Sequence, residues 1–340
     1  MSILKWLFRR EPTPGEATTR QTREALDRIL NLGPQLRLVT RHEARLAPAI
    51  RTALEHVRAL VDDVPSAREA SAAAWSSDPY VHAFFAVSED IARALSRSIE
   101  LRAHFDRYPV DRDAYVVLGM AMIERRTLGA AQHGEAVRTD VERTTVSFSD
   151  HQARVCGRNE AELRDEIVMR VVEQLALEGL NRIAADVSRR GMLEQERAIL
   201  STRLMLLRKQ GKGMNSLLGG NQLPGVGEMA ALQSQLEENN RRLAGLGLKS
   251  DALEREIDAV RDVLASPGAH VHVQKKALRL DRMNVIVDDD HARESAELHV
   301  HQARVPGTPQ EWRAFCLVRF ARNDLLPAPS MSDDANQWLL

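Results

Sequence analysis

The sequence predicts an α+β fold, predominantly α: an N-terminal helical domain, then a small antiparallel β domain interrupted by a long antiparallel coiled-coil hairpin. Three observations predict it. A heptad register runs Met229, Leu232, Leu236, Leu243, Leu246, Leu253, Ile257, Val260 and Leu264, with Asn239 and Ser250 as polar residues at the same phase, the signature of a seam between helices. Upstream, Leu193, Leu200, Leu204 and Leu207 form a second stripe. Gly211-Lys212-Gly213, Gly219-Gly220 and Pro224-Gly225-Val226-Gly227 separate the two stripes and mark a turn. Finally, segments of β-branched and alternating residues stand on both sides of this pair of arms.

Composition points the same way. Aromatics are 4% of residues and charged residues 28%, a balance that suits long helices better than one large core. Lys plus Arg (47) nearly cancels Asp plus Glu (48), so no overall field draws the chain to nucleic acid, and no specific nucleic-acid partner is expected. Two cysteines without CxxC spacing, and no long apolar run, lead us to expect a cytoplasmic protein.

Residues 1–17 read as an amphipathic element and linker. Leu4, Trp6, Leu7 and Phe8 beside Arg9 and Arg10 suit an anionic membrane surface, and Glu11-Pro-Thr-Pro-Gly15 ends the patch. A peripheral position at the inner membrane face is therefore part of the expectation.

Residues 18–135 read as the helical domain. A helical pattern from Thr18 to Val64 breaks at Gly33-Pro34. Asp78 caps a helix that has Pro79 in its first turn and runs to about Tyr108, with Phe84, Phe85, Ile91, Leu95, Ile99 and Leu101 on its apolar stripe. A third helix is expected from Asp113 to Ala131, carrying Val116, Val117, Met120, Met122, Ile123 and Leu128.

The β domain is expected in two pieces, 142–158 and 268–325. The first holds a strand over Thr144–Val155; the second holds a meander through His270–Gln274, Leu278–Leu280, Val285–Val287, Ala296–His301 and Trp312–Phe320. Between them, 159–267 is the hairpin, opened by an Asn159 cap with Glu162 three residues on, and its tip spans 211–227. Residues 326–340 read as a tail. His151-Gln-Ala-Arg-Val155 and His301-Gln-Ala-Arg-Val305 are identical pentapeptides on either side of the hairpin.

Two residue groups bear on function. At the tip, Lys209, Lys212, Leu217 and Leu218 are the expected contacts for a protein partner, because mobile loops on a rigid arm project binding residues. Arg208-Lys-Gln-Gly-Lys-Gly213 is not a phosphate loop: Leu206 stands where the first glycine belongs and Gly213 where Ser or Thr holds magnesium. The second group is His270, His272, His299 and His301, two His-x-His pairs on expected strands; alternation puts each pair on one face, where paired strands would offer four nitrogens to a transition metal. Asp288-Asp-Asp-His291 would add carboxylates. The competing account is that these histidines cover the solvent side of a half-buried sheet. Cys156 and Cys316 read as small core residues.

The function expected is a non-enzymatic cytoplasmic scaffold or adaptor, self-associating and binding a protein partner through the coiled-coil tip, with no cofactor. The alternative is a metal-binding protein or metal-dependent enzyme built on the histidine pairs, and a third reading is a nucleic-acid-associated coiled-coil protein. Gly-x-Ser-x-Gly, His-Glu-x-x-His and dinucleotide fingerprints are all missing from the sequence.

Overall fold

The computed structural model describes residues 14–133, 136–218, 226–245, 252–287, 295–307 and 312–327. The chain is α+β and predominantly α. In order come helices α1 (Pro14–Leu32) and α2 (His42–Asp62), strand β1 (Arg68–Glu69), and four short helices, α3 (Ala72–Ser77), α4 (Pro79–Phe84), α5 (Glu89–Ser96) and α6 (Ile99–Arg107). Strands β2 (Asp113–His133) and β3 (Ala136–Gly157) follow, then α7 (Glu160–Leu218), α8 (Val226–Gly245), α9 (Ala252–Ala265), and strands β4 (His272–Leu280), β5 (Ala296–Arg304) and β6 (Arg313–Ala321). Two compact units divide the chain at Ile50/Arg51, Gln174/Leu175 and Ala265/Ser266.

The first unit is helical. Gly33 and Pro34 break the run between α1 and α2, since Pro34 lacks the donor that would continue α1, and a 3₁₀ turn over Pro34–Leu38 fills the gap. Ile29, Leu36, Leu46, Ile50, Leu175, Ile257, Val260 and Leu264 are buried here. Arg45 fixes α9 by pairing with Glu254 and, at 2.7 Å, with Asp258. Gly179 lets α7 and α9 approach closely: a Cβ on it would stand 2.6 Å from Val260 Cα.

The second unit is built on a sheet of order β3-β2-β6-β5-β4, antiparallel throughout, with β1 added parallel to β6. One face carries Ala114, Val116, Leu118, Met120, Leu298, Val300, Val318 and Phe320, and on it sit Phe84, Phe85, Ile91, Leu95, Leu101 and Phe105 of the short helices. Caps hold those helices in place. Asp78 Oδ1 accepts from Tyr80 N at 2.8 Å, and Ser98 Oγ accepts from Leu101 N at 3.1 Å while donating to Ala153 O at 2.7 Å.

Three sequence expectations are corrected. The helix expected over Asp113–Ala131 is strand β2, because its buried residues Ala114, Val116, Leu118 and Met120 alternate and period two fills a sheet face. The helix expected to run unbroken from Asp78 to Tyr108 is three helices, with Phe85 extended after α4 and Ser98 capping α6. The break expected at Gly211-Lys212-Gly213 is absent: α7 continues to Leu218. A glycine inside an established helix costs only about 1 kcal/mol, which the good helix formers around it offset.

Candidate functional site

Two features stand out, one in each unit. In the first unit α7 runs beside α8. Arg203 pairs with Glu228 at 2.8 Å and Asn239 Nδ2 donates to Glu196 Oε2 at 2.8 Å; the rising and falling numbers show that the helices run antiparallel. Leu193 and Leu204 of α7 and Leu232, Asn239 and Leu243 of α8 are buried. One residue before each of Leu193, Leu200 and Leu207, about 100° around the helix, stand Met192, Ile199 and Leu206, which are 63%, 60% and 54% exposed. These three form an apolar stripe seven residues apart that stands exposed among the described residues.

Lys209, Lys212, Leu217 and Leu218 fall within α7 and not in a loop. Of the expected tip, 219–225 lies outside the described residues, as do Leu4, Trp6, Leu7, Phe8, Arg9 and Arg10 and the Asp288–His291 cluster.

The histidine pairs are separated by strand register. His272 stands opposite Arg304, His301 opposite Lys275 and His299 opposite Ala277, so His272 and His301 are three positions apart, roughly 10 Å along the ladder. His270 precedes the strand. His299 is exposed with Nε2 3.7 Å from Glu297 Oε1, whereas His301 is 5% exposed and packs edge-on to Phe315 at 6.1 Å. Burial lowers the His301 pKa, with Lys275 adding to the shift. Among the described residues, no group of three or more His, Cys, Asp or Glu is placed to hold a metal ion. None of their helices is long and apolar enough to cross a membrane.

The second unit holds the other feature on the sheet face turned away from the short helices. Here Tyr115, Val117, Phe315 and Leu317 face Val64, Leu163 and Ile167, but they do not fill the space. A cavity of about 400 Å³ remains, walled by the sheet, the end of α2, the start of α7 and the turn Val305–Gly307. Its surface is Val, Leu, Ile, Ala, Phe, Pro and Gly with three arginines, Arg154, Arg170 and Arg313, and two glutamines, Gln152 and Gln174. No carboxylate lines it among the described residues.

Two bulges in β3 shape this wall. The register slips between Gly119 and Ala121 and again between Val116 and Val117, and at the extra residues Asp150 and Val155 the backbone is left-handed, with φ of 49° and 56°. A β-branched residue rarely adopts that conformation, and the Val155 amide is held there by Glu100 Oε2 at 2.8 Å. Because each bulge reverses the alternation, Arg154 and Val155, adjacent in sequence, both line the cavity. Asp150 is held by Arg313, whose Nη1 reaches its carboxylate and Nη2 its carbonyl, both at 2.8 Å. Its carboxyl titrates below the ordinary value through hydrogen bonds from Gln152 and Arg313.

The bulges also give Gln152 and Ala153 the opposite faces to Gln302 and Ala303, while Val155 and Val305 both line the cavity. Ala153 packs with the short helices while Gln152 and Arg154 line the cavity; in the other copy Ala303 lines the cavity and Gln302 is buried. His151 stacks on Phe85 at 4.5 Å and its Nε2–H donates to Phe84 O at 2.8 Å. The cavity had no sequence signal, because Val, Ala and Gly around a void are the residue types that also fill a core.

Cys156 and Cys316 are unpaired and packed against the core, and burial pushes both thiols up to about 12. No family model, curated protein or solved structure matches this chain.

Proposed function

We propose that the protein is a non-enzymatic scaffold or adaptor whose arm, an antiparallel coiled-coil hairpin of α7 and α8, binds other protein, in the first instance a second copy of itself. The observation that carries this is the exposed stripe Met192, Ile199, Leu206. It is symmetric about Ile199, so two copies laid antiparallel there oppose Met192 of one with Leu206 of the other. That is the self-complementary contact a two-fold dimer requires, with the seven-residue spacing of helix-to-helix packing. At 59 residues α7 spans roughly 88 Å, and so long a helix offers a partner more surface than the arm uses internally. A cytoplasmic setting belongs to the same proposal, supported by two cysteines that stand unpaired.

Light scattering across a concentration series tests it. Wild type should self-associate, and Ile199→Arg, a change at a residue 60% exposed, should shift it to monomer with its melting transition little changed. A wild type that stays monomeric, or an Ile199→Arg variant that associates equally well, would refute the arm as the self-association surface.

A further inference from the structure

We propose that the cavity of the second unit binds a long-chain fatty acid, with the alkyl chain against the apolar wall and the carboxylate on Arg154. The volume of about 400 Å³ lies in the range of small-molecule sites. It takes about a dozen methylene-sized groups at ~30 Å³ each, the share of a water molecule in its liquid, so most of a hexadecanoate chain is enclosed and its head-group end lies at the rim, where Arg154 is 66% exposed. Left dry, the apolar walls would forgo dispersion contacts on one side, while water in the space would find few hydrogen-bonding partners.

Charge selects the head group. Three arginines and no carboxylate line the cavity among the described residues, which favours an anion. Arg313 is committed to Asp150 at 2.8 Å and Arg170 to Glu166 at 3.0 Å. Arg154, 66% exposed at the rim, has only a 3.9 Å approach to Glu100 Oε1 and a 3.5 Å contact from its Nη2 to Gln152 Oε1. It is therefore the arginine best able to turn to a ligand, and its planar fork matches a carboxylate. The left-handed Val155 supports the assignment, for it sets Arg154 and an apolar side chain together at one wall, the pairing an amphiphile needs. Strain of this kind is kept where the surrounding structure enforces it, commonly at ligand sites. Across the space, Gly307 at φ 79° would bring a Cβ within 3.0 Å of Gln174 Oε1, so the turn closes tightly on α7 at this point.

The test uses the full chain, stripped of lipid, with isotope-labelled hexadecanoate, hexadecanol, and vesicles containing phosphatidylglycerol. Hexadecanoate should bind saturably at one per chain. Val171→Trp and Ala303→Trp, which place bulk in the cavity from a helix and from a strand, should each weaken it at least about tenfold, and Arg154→Gln about tenfold. Hexadecanol affinity should be unmoved by Arg154→Gln, which separates a head-group contact from loss of the wall. Absence of saturable hexadecanoate binding to folded wild type would overturn the proposal, as would binding untouched by both tryptophans. Vesicle binding lost with Arg154→Gln, without free hexadecanoate binding, would assign the arginine to a lipid surface and overturn it too.

Discussion

Asn239 of α8 donates its amide to Glu196 of α7 at 2.8 Å while lying 2% exposed between the buried Leu232 and Leu243. The Oδ1 of the same amide has no hydrogen-bond partner. A polar residue at such a position lowers stability and fixes the register, since sliding by one heptad would bury the amide against leucine. Asn239→Leu is therefore expected to raise the melting temperature, by about 1 kcal/mol of stability, while loosening alignment. Paired cysteines at Arg203 and Glu228 should cross-link cleanly in the Asn239 protein and less selectively in Asn239→Leu. Equal selectivity would show that Asn239 does not set register.

Acid should weaken the second unit before it touches carboxylates. His104, His151 and His301 all have pKa values lowered from 6.5, burial being the largest cause in each. A group with a lowered folded pKa binds its proton more readily when unfolded, so stability falls as pH drops through 6.5 toward the folded value. Asp63, Asp111 and Asp150 are held below their ordinary 3.8 by Lys275, Arg158 and Gln152 respectively, and their contribution disappears only at lower pH. The melting temperature should fall from pH 7.5 to pH 5, and His151→Phe, which keeps the stack on Phe85, should flatten that slope. A slope unchanged in His151→Phe would exclude His151 as its source.

Both thiols should be inert in the folded chain. With pKa values pushed up to about 12 by burial, Cys156 and Cys316 carry almost no thiolate at pH 8. Ellman's reagent should therefore modify neither within minutes in native buffer and both at once in guanidinium. Rapid native labelling of one cysteine would show its strand opening locally.

Sequence legibility followed local physics. Asn159 was readable as a helix start because the cap is confined to neighbouring residues: Glu162 N donates to Asn159 Oδ1 at 2.9 Å, and the Glu162 carboxylate accepts from Arg158 N at 3.3 Å. The Gly33-Pro34 break and the Asp78 cap are equally local. Strand β2 was not, because Val116, Val117, Met120 and Ile123 satisfy a helical stripe as well as they do a strand, and only the sheet face, formed by residues far along the chain, decides between them. The histidine pairs failed differently: alternation was right for His299 and His301 within β5, but His270 precedes β4 and the register of β4 against β5 set His272 opposite Arg304. The cavity was out of reach, being defined by what distant segments leave unfilled.

Two glycines of α7 make a final, internally controlled prediction. A Cβ on Gly179 would lie 2.6 Å from Val260 Cα and 3.0 Å from Ala259 O, backbone atoms of α9 that cannot step aside without moving the helix; a Cβ on Gly191 would meet nothing within 4 Å. Both changes to alanine remove the same glycine penalty from the same helix, a gain of about 0.5–1 kcal/mol. Gly191→Ala should therefore raise the melting temperature. Gly179→Ala should lower it despite that gain, because forcing the helices apart costs about 1–3 kcal/mol. The opposite signs make the comparison decisive: if Gly179→Ala also stabilises, α9 does not press its backbone against α7 at Val260, and the packing of the helical unit around that contact is wrong.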